Sequence, residues 1–156
     1  MLVQQKSDSD CGLACLAMAL NQDADEIAKR YFPDRLWAEG SYPEVPEEMI
    51  GMMPQEMTYV LCREGIVNTW VTPCECFRLS DQEWIYTYRN AIAQPSLVSI
   101  QKHSQTHSII AGVPSLNFIG YNHWVYVRHG MLYDPATARR YRQNSTLEIK
   151  EAILIW

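Results

Sequence analysis

The sequence predicts an α+β fold in which helices come first and an antiparallel sheet follows. The first third of the chain contains apolar residues at helical spacing, whereas the last third contains short β-branched and aromatic runs separated by turn residues. Helices and strands segregated along a chain in this way are typical of the α+β class. At 156 residues the chain is long enough for one domain with its own core, and it contains no repeat and no linker. We therefore predict a single domain over residues 1–156.

Three helices are predicted in the first half of the chain. Asp10–Asn21 is apolar on most sides, so this helix should be central and buried. Asp23–Tyr31 is shorter and apolar on one side, and Glu56–Glu64 is a third helix that Gly65 should close as a C-terminal cap. The prolines between the second and third helices indicate that Phe32–Gln55 is mostly loop.

One more helix and the strands of the sheet account for the remainder. A capping box at Ser80–Glu83 precedes apolar residues at helical spacing, and this helix should end at Pro95. The C-terminal segment Leu147–Trp156 is compatible with a helix, with a strand, or with a helix and a strand in succession. The strands are predicted at Ile66–Thr72, Ser96–Ile100, Trp124–Val127 and Met131–Tyr133.

Cys11 stands at the junction between a polar run and the first predicted helix. Asp8, Ser9 or Asp10 can cap that helix, because their side chains accept hydrogen bonds from the free amides of its first turn. The positive end of the helix macrodipole should then stabilise a thiolate at Cys11 and lower the pKa of the thiol. Since the thiolate is the reactive form of cysteine, Cys11 is a candidate nucleophile.

A candidate base and its orienting group occur in the C-terminal third. His123 opens one predicted strand, and Asp134 follows the next strand, with a turn at 128–130 between them. In an antiparallel hairpin the start of one strand faces the end of the next. The carboxylate of Asp134 can therefore accept a hydrogen bond from the imidazole of His123 and fix its tautomer.

These motifs resemble those of the papain-like cysteine peptidases, and in particular those of the bacteriocin-processing (double-glycine leader) peptidases. That family has a glutamine shortly before an acidic-Cys-Gly sequence, a helix of small residues after the cysteine, a His-aromatic-valine strand and an Asp-Pro on the next strand. The likeness covers most of the chain in order, with the middle third matching only in coarse pattern. The matching positions are Gln5, Asp10, Cys11, Gly12, Ala14, Leu16, Met18, His123, Trp124, Val125, Asp134 and Pro135.

The resemblance implies a papain-like fold with Cys11 as the nucleophile and His123 as the base. It also implies Asp134 as the orienting group and Gln5 as a side-chain donor to the oxyanion hole, beside the backbone amide of Cys11. By chemistry alone Gln4 competes with Gln5 for that role, and the family spacing favours Gln5. We therefore predict a cysteine peptidase that cleaves a peptide or protein substrate through an acyl-enzyme and needs no cofactor.

Two alternative functions use the same residues. A Cys-His-Asp site can deamidate a protein glutamine or transfer an acyl group to an amine, and water access decides between these reactions and hydrolysis. An alternative of a different class is a degenerate peptidase-like module that binds peptides without cleaving them.

Composition and charge exclude several other classes of protein. The formal net charge of −5 and the pI of about 5.3 argue against nucleic acid as the main partner, because phosphate binding needs a basic surface. The chain has no apolar run long enough to span a membrane and no signal-peptide stretch. The five cysteines are odd in number and sparse, which argues against a secreted disulfide framework and predicts a cytoplasmic protein.

The remaining cysteines and two histidines are not predicted to bind metal. Cys74 and Cys76 are closer in sequence than zinc-binding cysteines usually are. His103 and His107 are four residues apart but lie in a polar stretch, which we interpret as a solvated loop without a third ligand. The cysteines predicted to be buried apolar residues are Cys15, Cys62, Cys74 and Cys76.

The segment His103–Gly120 precedes the His123 strand and looks like an insertion. We expect it to emerge at the rim of the cleft and to contact the substrate, because loops on a rigid scaffold commonly carry recognition. The alternative is a hairpin extension that packs its apolar residues on the core.

Overall fold

The computed structural model describes residues 2–7, 9–35, 51–73, 95–115, 122–143 and 147–156. Within these ranges helices dominate the N-terminal part and strands the C-terminal part, so the predicted α+β class is confirmed. None of the described helices is long and apolar enough to cross a membrane. The elements are α1 (Cys11–Leu20), α2 (Ala24–Tyr31), α3 (Pro54–Arg63), β1 (Asn68–Val71), α4 (Leu97–Thr106), β2 (Ser108–Pro114), β3 (Asn122–Arg128), β4 (Met131–Asp134), β5 (Arg139–Arg142) and β6 (Glu151–Ile155).

The described strands form one antiparallel sheet in the order β1-β6-β2-β3-β4-β5. Its C-terminal strand is internal, since β6 lies between β1 and β2. The β3–β4 hairpin closes with Arg128 opposite Met131. The two turn residues, His129 and Gly130, have φ values of 51° and 70°, as a type I′ turn requires. This turn fixes the register that brings the start of β3 close to the end of β4.

Helices cover both faces of the sheet. Leu16 of α1 packs with Ile110 and Trp124 in the apolar cluster that also contains residues of α2 and α3. Ile100 of α4 packs with Ile109 in a second apolar cluster on the other face. Ile109 and Ile110 are neighbours on β2, and their side chains point to opposite faces because successive residues of a strand alternate.

The predicted central position of the first helix is confirmed. Every residue of α1 from Cys11 to Met18 is buried. A Cβ atom added at Gly12 would lie 2.8 Å from Cβ of Met52, so the glycine permits the segment before α3 to close against the start of α1. This contact covers the helix terminus that carries Cys11.

The strand predicted at Ser96–Ile100 is wrong, because this segment begins α4. The Ser96 hydroxyl accepts a hydrogen bond from the Ser99 amide at 3.2 Å, which is a helix N-cap contact. Ile100 and Ser104, four residues apart, are buried on one side of the helix. The β-branched residues of so short a run fit either structure, and contact with the sheet favours the helix.

The solvated loop predicted around His103 and His107 is also wrong up to Thr106, where the chain is helical, whereas His107 lies just beyond the helix and is exposed. His103 lies on α4, and its Nε2 is 3.1 Å from the carbonyl oxygen of Ile155. The rings of the two histidines stack with their centroids 4.7 Å apart. The helix therefore continues through this polar stretch, because one buried side of the helix is sufficient to dock it.

The described part of the segment His103–Gly120 is not an insertion at the rim. Ser108–Pro114 forms β2, which pairs with both β3 and β6. Ile109, Ile110 and Ala111 are completely buried. The alternative prediction, a segment that packs its apolar residues on the core, is correct for this strand. Residues 116–120 lie outside the described residues.

Other predictions have mixed outcomes. The third predicted helix is confirmed. It starts at Pro54, inside the predicted loop Phe32–Gln55, because proline is compatible with the first position of a helix. Strand β5 was not predicted. In the segment Leu147–Trp156 the strand alternative is correct for β6.

The helix predicted after Ser80–Glu83 and the cysteines at 74 and 76 lie outside the described residues. Cys15 is buried as predicted, whereas Cys62 is exposed, because it lies on the outer side of α3.

Candidate active site

Cys11 is the first residue of α1, and only 5% of its surface is exposed. α1 packs against β3, and the backbone of Trp124 forms a hydrogen bond with the Cys11 thiol. Trp124 directly follows His123 on that strand. The fold thus brings the start of α1 to the start of β3, more than a hundred residues later in the chain.

Asp10 does not cap α1 in the way predicted. Its side chain makes no capping hydrogen bond, and its two carboxylate oxygens instead accept from the backbone amides of Lys6 and Ser7, both at 3.0 Å. The carboxylate therefore folds the N-terminal segment back onto the start of α1. This arrangement holds Gln5 close to the helix terminus.

Gln5 is joined to the other side of the site. Its backbone amide donates to the carbonyl of Pro135 at 3.0 Å, one residue after Asp134. Its side-chain Nε2 donates to the carbonyl of Ser7 at 2.9 Å, and its Oε1 is buried and accepts no hydrogen bond within the described structure. Gln4, by contrast, is exposed. Of the two glutamines, Gln5 is the one tied to the elements that carry the site.

His123 and Asp134 are in direct contact, as the hairpin geometry predicted. Nε2 of His123 lies 2.8 Å from Oδ1 of Asp134, and the two side chains are 20% and 19% exposed. The carboxylate also accepts from the Ala136 amide and the Thr137 hydroxyl, which hold it in a fixed orientation. Because Nε2–H donates to the carboxylate, Nδ1 is the ring nitrogen left to accept a proton.

The predicted lowering of the Cys11 pKa is wrong. Burial raises the pKa of the thiol to about 11, and the hydrogen bonds from the backbone of Trp124 and Gly12 offset this only in part. The neighbouring Asp10 carboxylate raises the pKa further. Desolvation of the charged form therefore outweighs the favourable position at a helix N-terminus, and the resting group is a neutral thiol.

Cys15 lies one helical turn beyond Cys11 and is completely buried. Its pKa is raised well above the usual value, chiefly by burial. Cys11 and Cys15 belong to the same buried apolar cluster. Cys15 packs beneath the site, as the helical spacing predicted.

Within the described ranges, no group of three or more His, Cys, Asp or Glu side chains is arranged to hold a metal ion. The stacked rings of His103 and His107 therefore lack a third ligand among the described residues. Cys74 and Cys76 lie outside these ranges.

No family model and no curated protein matches this chain. The order of the sequence motifs and the contact between His123 and Asp134 are the observations that bear on function.

Proposed function

We propose that this protein is a papain-like cysteine peptidase, similar to the bacteriocin-processing peptidases, that cleaves a peptide or protein substrate. The observation that carries the proposal is the contact between His123 on β3 and Asp134 on β4, with Nε2 and Oδ1 2.8 Å apart. The residue after His123, Trp124, is the one whose backbone forms a hydrogen bond with the Cys11 thiol. A nucleophile, a base and an orienting carboxylate in this order form the functional unit of a catalytic triad.

Acylation begins from a neutral thiol, because burial raises the pKa of Cys11 to about 11. Nδ1 of His123 takes the thiol proton while the sulfur attacks the carbonyl carbon of the scissile bond. Asp134 stabilises the resulting imidazolium through its hydrogen bond to Nε2. The imidazolium then gives its proton to the departing amine, and the acyl group remains on the sulfur as a thioester.

Deacylation uses the same groups in reverse. His123 removes a proton from water as the water oxygen attacks the thioester, and the proton passes to the leaving sulfur. The oxyanion that forms in both steps needs donors. Gln5 can supply one, because Nε2 carries two N–H bonds and Ser7 uses one of them.

Peptide cleavage tests the proposal directly. The protein is incubated with a diverse peptide library, and the products are identified by mass spectrometry. We expect new termini with the wild-type protein and none with Cys11→Ala or His123→Ala. Cys62→Ala is the matched control, because Cys62 is an exposed cysteine outside the site. Conversion of glutamine to glutamate without cleavage, or a cross-link to an added amine, would replace hydrolysis by one of the alternative reactions.

A second candidate function is a peptidase-like module that binds peptides without cleaving them. The burial of Cys11 favours it, since a buried thiol with a raised pKa is a poor nucleophile unless a base assists it. Peptide binding by the wild-type protein that persists in Cys11→Ala, with no cleavage by either protein, would establish this function instead.

A further inference from the structure

Glu151 lies at the same end of the sheet as His123. It is the first residue of β6 and pairs with Gly112 of β2, which in turn pairs with Trp124 of β3. Two strand separations amount to about 10 Å. Glu151 is thus about 10 Å across the sheet from the strand that carries the proposed base.

The side chain of Glu151 leans over β2 towards β3. A Cβ atom at Gly112 would lie 2.9 Å from Cγ of Glu151 and 3.2 Å from the ring of Trp124, so only glycine leaves room for both side chains. Oε1 of Glu151 accepts from Nδ2 of Asn122 at 3.1 Å. Asn122 directly precedes His123, so the carboxylate reaches the start of the strand that carries His123.

The hydrogen-bond partners of Glu151 in the described part of the chain are neutral. Besides Asn122, its Oε2 accepts from the indole N–H of Trp70 at 3.2 Å. No described lysine, arginine or histidine forms an ion pair with Glu151, and the adjacent Lys150 pairs with Glu148. The two hydrogen bonds use half of the roughly four acceptor sites of a carboxylate.

A partly buried carboxylate without a cation is electrostatically unsatisfied. Burial raises the pKa of Glu151, and the hydrogen bonds from Asn122 and Trp70 offset this only in part. Such a group gains stability when a cation approaches it, because the cation compensates for the lost hydration. A cation supplied by a bound molecule would meet this need.

We propose that Glu151 binds a cationic group of the substrate, the side chain of a lysine or arginine near the scissile bond. The inference rests on the proposed peptidase function. Each residue of an extended peptide spans about 3.3 Å, so a separation of about 10 Å places the basic residue within about three residues of the bond that is cut. The net charge of −5 also favours a basic substrate.

The experiment compares the wild-type protein with Glu151→Gln, which keeps the shape of the side chain and removes its charge. Cleavage sites are first mapped in a diverse peptide library. Two peptides are then made from a preferred site, one with lysine and one with the neutral norleucine at the enriched position. Glu148→Gln is the matched control, because it removes an exposed carboxylate three residues earlier in the chain.

We expect wild-type cleavage sites to be enriched in lysine or arginine within about three residues of the cut bond. In Glu151→Gln, kcat/KM for the lysine peptide should fall by about tenfold or more, while the norleucine peptide is cleaved as before. Glu148→Gln should retain the preference of the wild-type protein. A charge-reversing change, Glu151→Lys, should shift the preference towards acidic peptides.

Two results would overturn the inference without touching the proposed function. One is Cys11-dependent cleavage that shows no preference for basic residues. The other is an equal loss for the lysine and norleucine peptides in Glu151→Gln, which would show that Glu151 only holds Asn122 and Trp70 in place. Absence of any Cys11-dependent cleavage by the wild-type protein would instead remove the proposed function, and the inference with it.

Discussion

Cys11 experiences two opposing influences on its thiol, because it begins a helix and is also almost completely buried. The helix N-terminus favours a thiolate, whereas removal from water disfavours any charged form. Removal from water is the larger effect, since the pKa of the thiol is raised to about 11. The reactivity of Cys11 should therefore depend on proton transfer to His123 and not on a preformed thiolate.

Alkylation measures this property. We expect iodoacetamide to modify Cys11 slowly at neutral pH and about tenfold faster with each further pH unit, because the thiolate fraction grows in that proportion below the pKa. The rise should continue beyond about pH 8.5, where an ordinary thiol approaches its plateau. Peptide mapping in a Cys62→Ser background follows Cys11 without competition from Cys62, the exposed one of the three described cysteines. A plateau near neutral pH would show that the helix terminus dominates after all.

The proposed orienting role of the Asp134 carboxylate can be isolated by substitution. Asp134→Asn keeps the shape of the side chain but removes the charge that stabilises the imidazolium. We expect kcat for peptide cleavage to fall, by as much as about 10⁴-fold, while the circular dichroism spectrum is unchanged. Thr137→Val is a milder control, because it removes one hydrogen bond to Oδ2 of Asp134 and one contact with the Tyr141 hydroxyl but keeps the carboxylate. Unchanged turnover in Asp134→Asn would contradict the assignment.

Gln5 and Gln4 form a natural pair for testing the oxyanion hole. Gln5→Ala should reduce kcat by about 10²–10³, the usual effect of losing one oxyanion donor. Gln4→Ala should have no effect, because Gln4 is exposed and its neighbour is the glutamine tied to the Ser7 and Pro135 carbonyls. The opposite result would place the donor one residue earlier in the chain.

At the scale of elements, the site depends on how α1 meets β3 and on what closes over their contact. Trp124 is fixed by a hydrogen bond from its indole N–H to the Met52 carbonyl at 3.0 Å. Met52 also lies against Gly12 on α1. The segment before α3 thus joins the helix that carries Cys11 to the strand that carries His123.

Gly12→Ala tests the close contact between α1 and Met52. Alanine is intrinsically about 1 kcal/mol better than glycine within a helix. The new Cβ would lie 2.8 Å from Cβ of Met52, however, and overpacking of this kind typically costs about 1–3 kcal/mol. We therefore expect a net loss in the free energy of unfolding, measured with urea. The loss should be smaller when Gly12→Ala is introduced into a Met52→Gly background, and an equal loss there would contradict the steric explanation.

At the scale of the whole molecule, distant parts of the chain converge on the sheet and its edges. Glu64 at the end of α3 accepts hydrogen bonds from Gln22, Arg30 and Tyr31, which ties α2 and the turn before it to α3. On the opposite face, His103 binds the carbonyl of Ile155, the last residue of the internal strand β6. Packing among these elements determines the pH dependence of stability as well as the geometry of the site.

His103 should make the protein less stable in mild acid. Its folded-state pKa lies below the usual value of 6.5, chiefly because of burial, so the unfolded chain binds a proton more readily. The stability associated with neutral His103 is present above pH 6.5 and is lost as the pH falls through the lower folded-state pKa.

Urea denaturation at several pH values measures this effect. His103→Gln should lose less stability than the wild-type protein between neutral pH and the folded-state pKa. His129→Asn is the control, because His129 is exposed in the hairpin turn, where its positive φ also suits asparagine. An identical pH dependence in His103→Gln and the wild-type protein would contradict the assignment.

The sequence by itself was sufficient for features that depend on neighbours in the chain. Periodicity predicted α1, α2 and α3, and the turn at 128–130 predicted the hairpin whose register brings His123 to Asp134. These predictions succeeded because local hydrogen bonding and the pattern of apolar residues determine a helix or a hairpin directly.

Tertiary structure decided the features that depend on burial and on distant partners. It made α4 a helix and β2 a central strand, because contact with the sheet overrides weak local preferences in short segments. The Asp10 carboxylate was predicted as a possible cap of α1, but in the tertiary structure it accepts hydrogen bonds from the backbone amides of Lys6 and Ser7. Tertiary structure also raised the pKa of Cys11 instead of lowering it, since desolvation depends on everything packed around the thiol and not on the residues beside it in the chain.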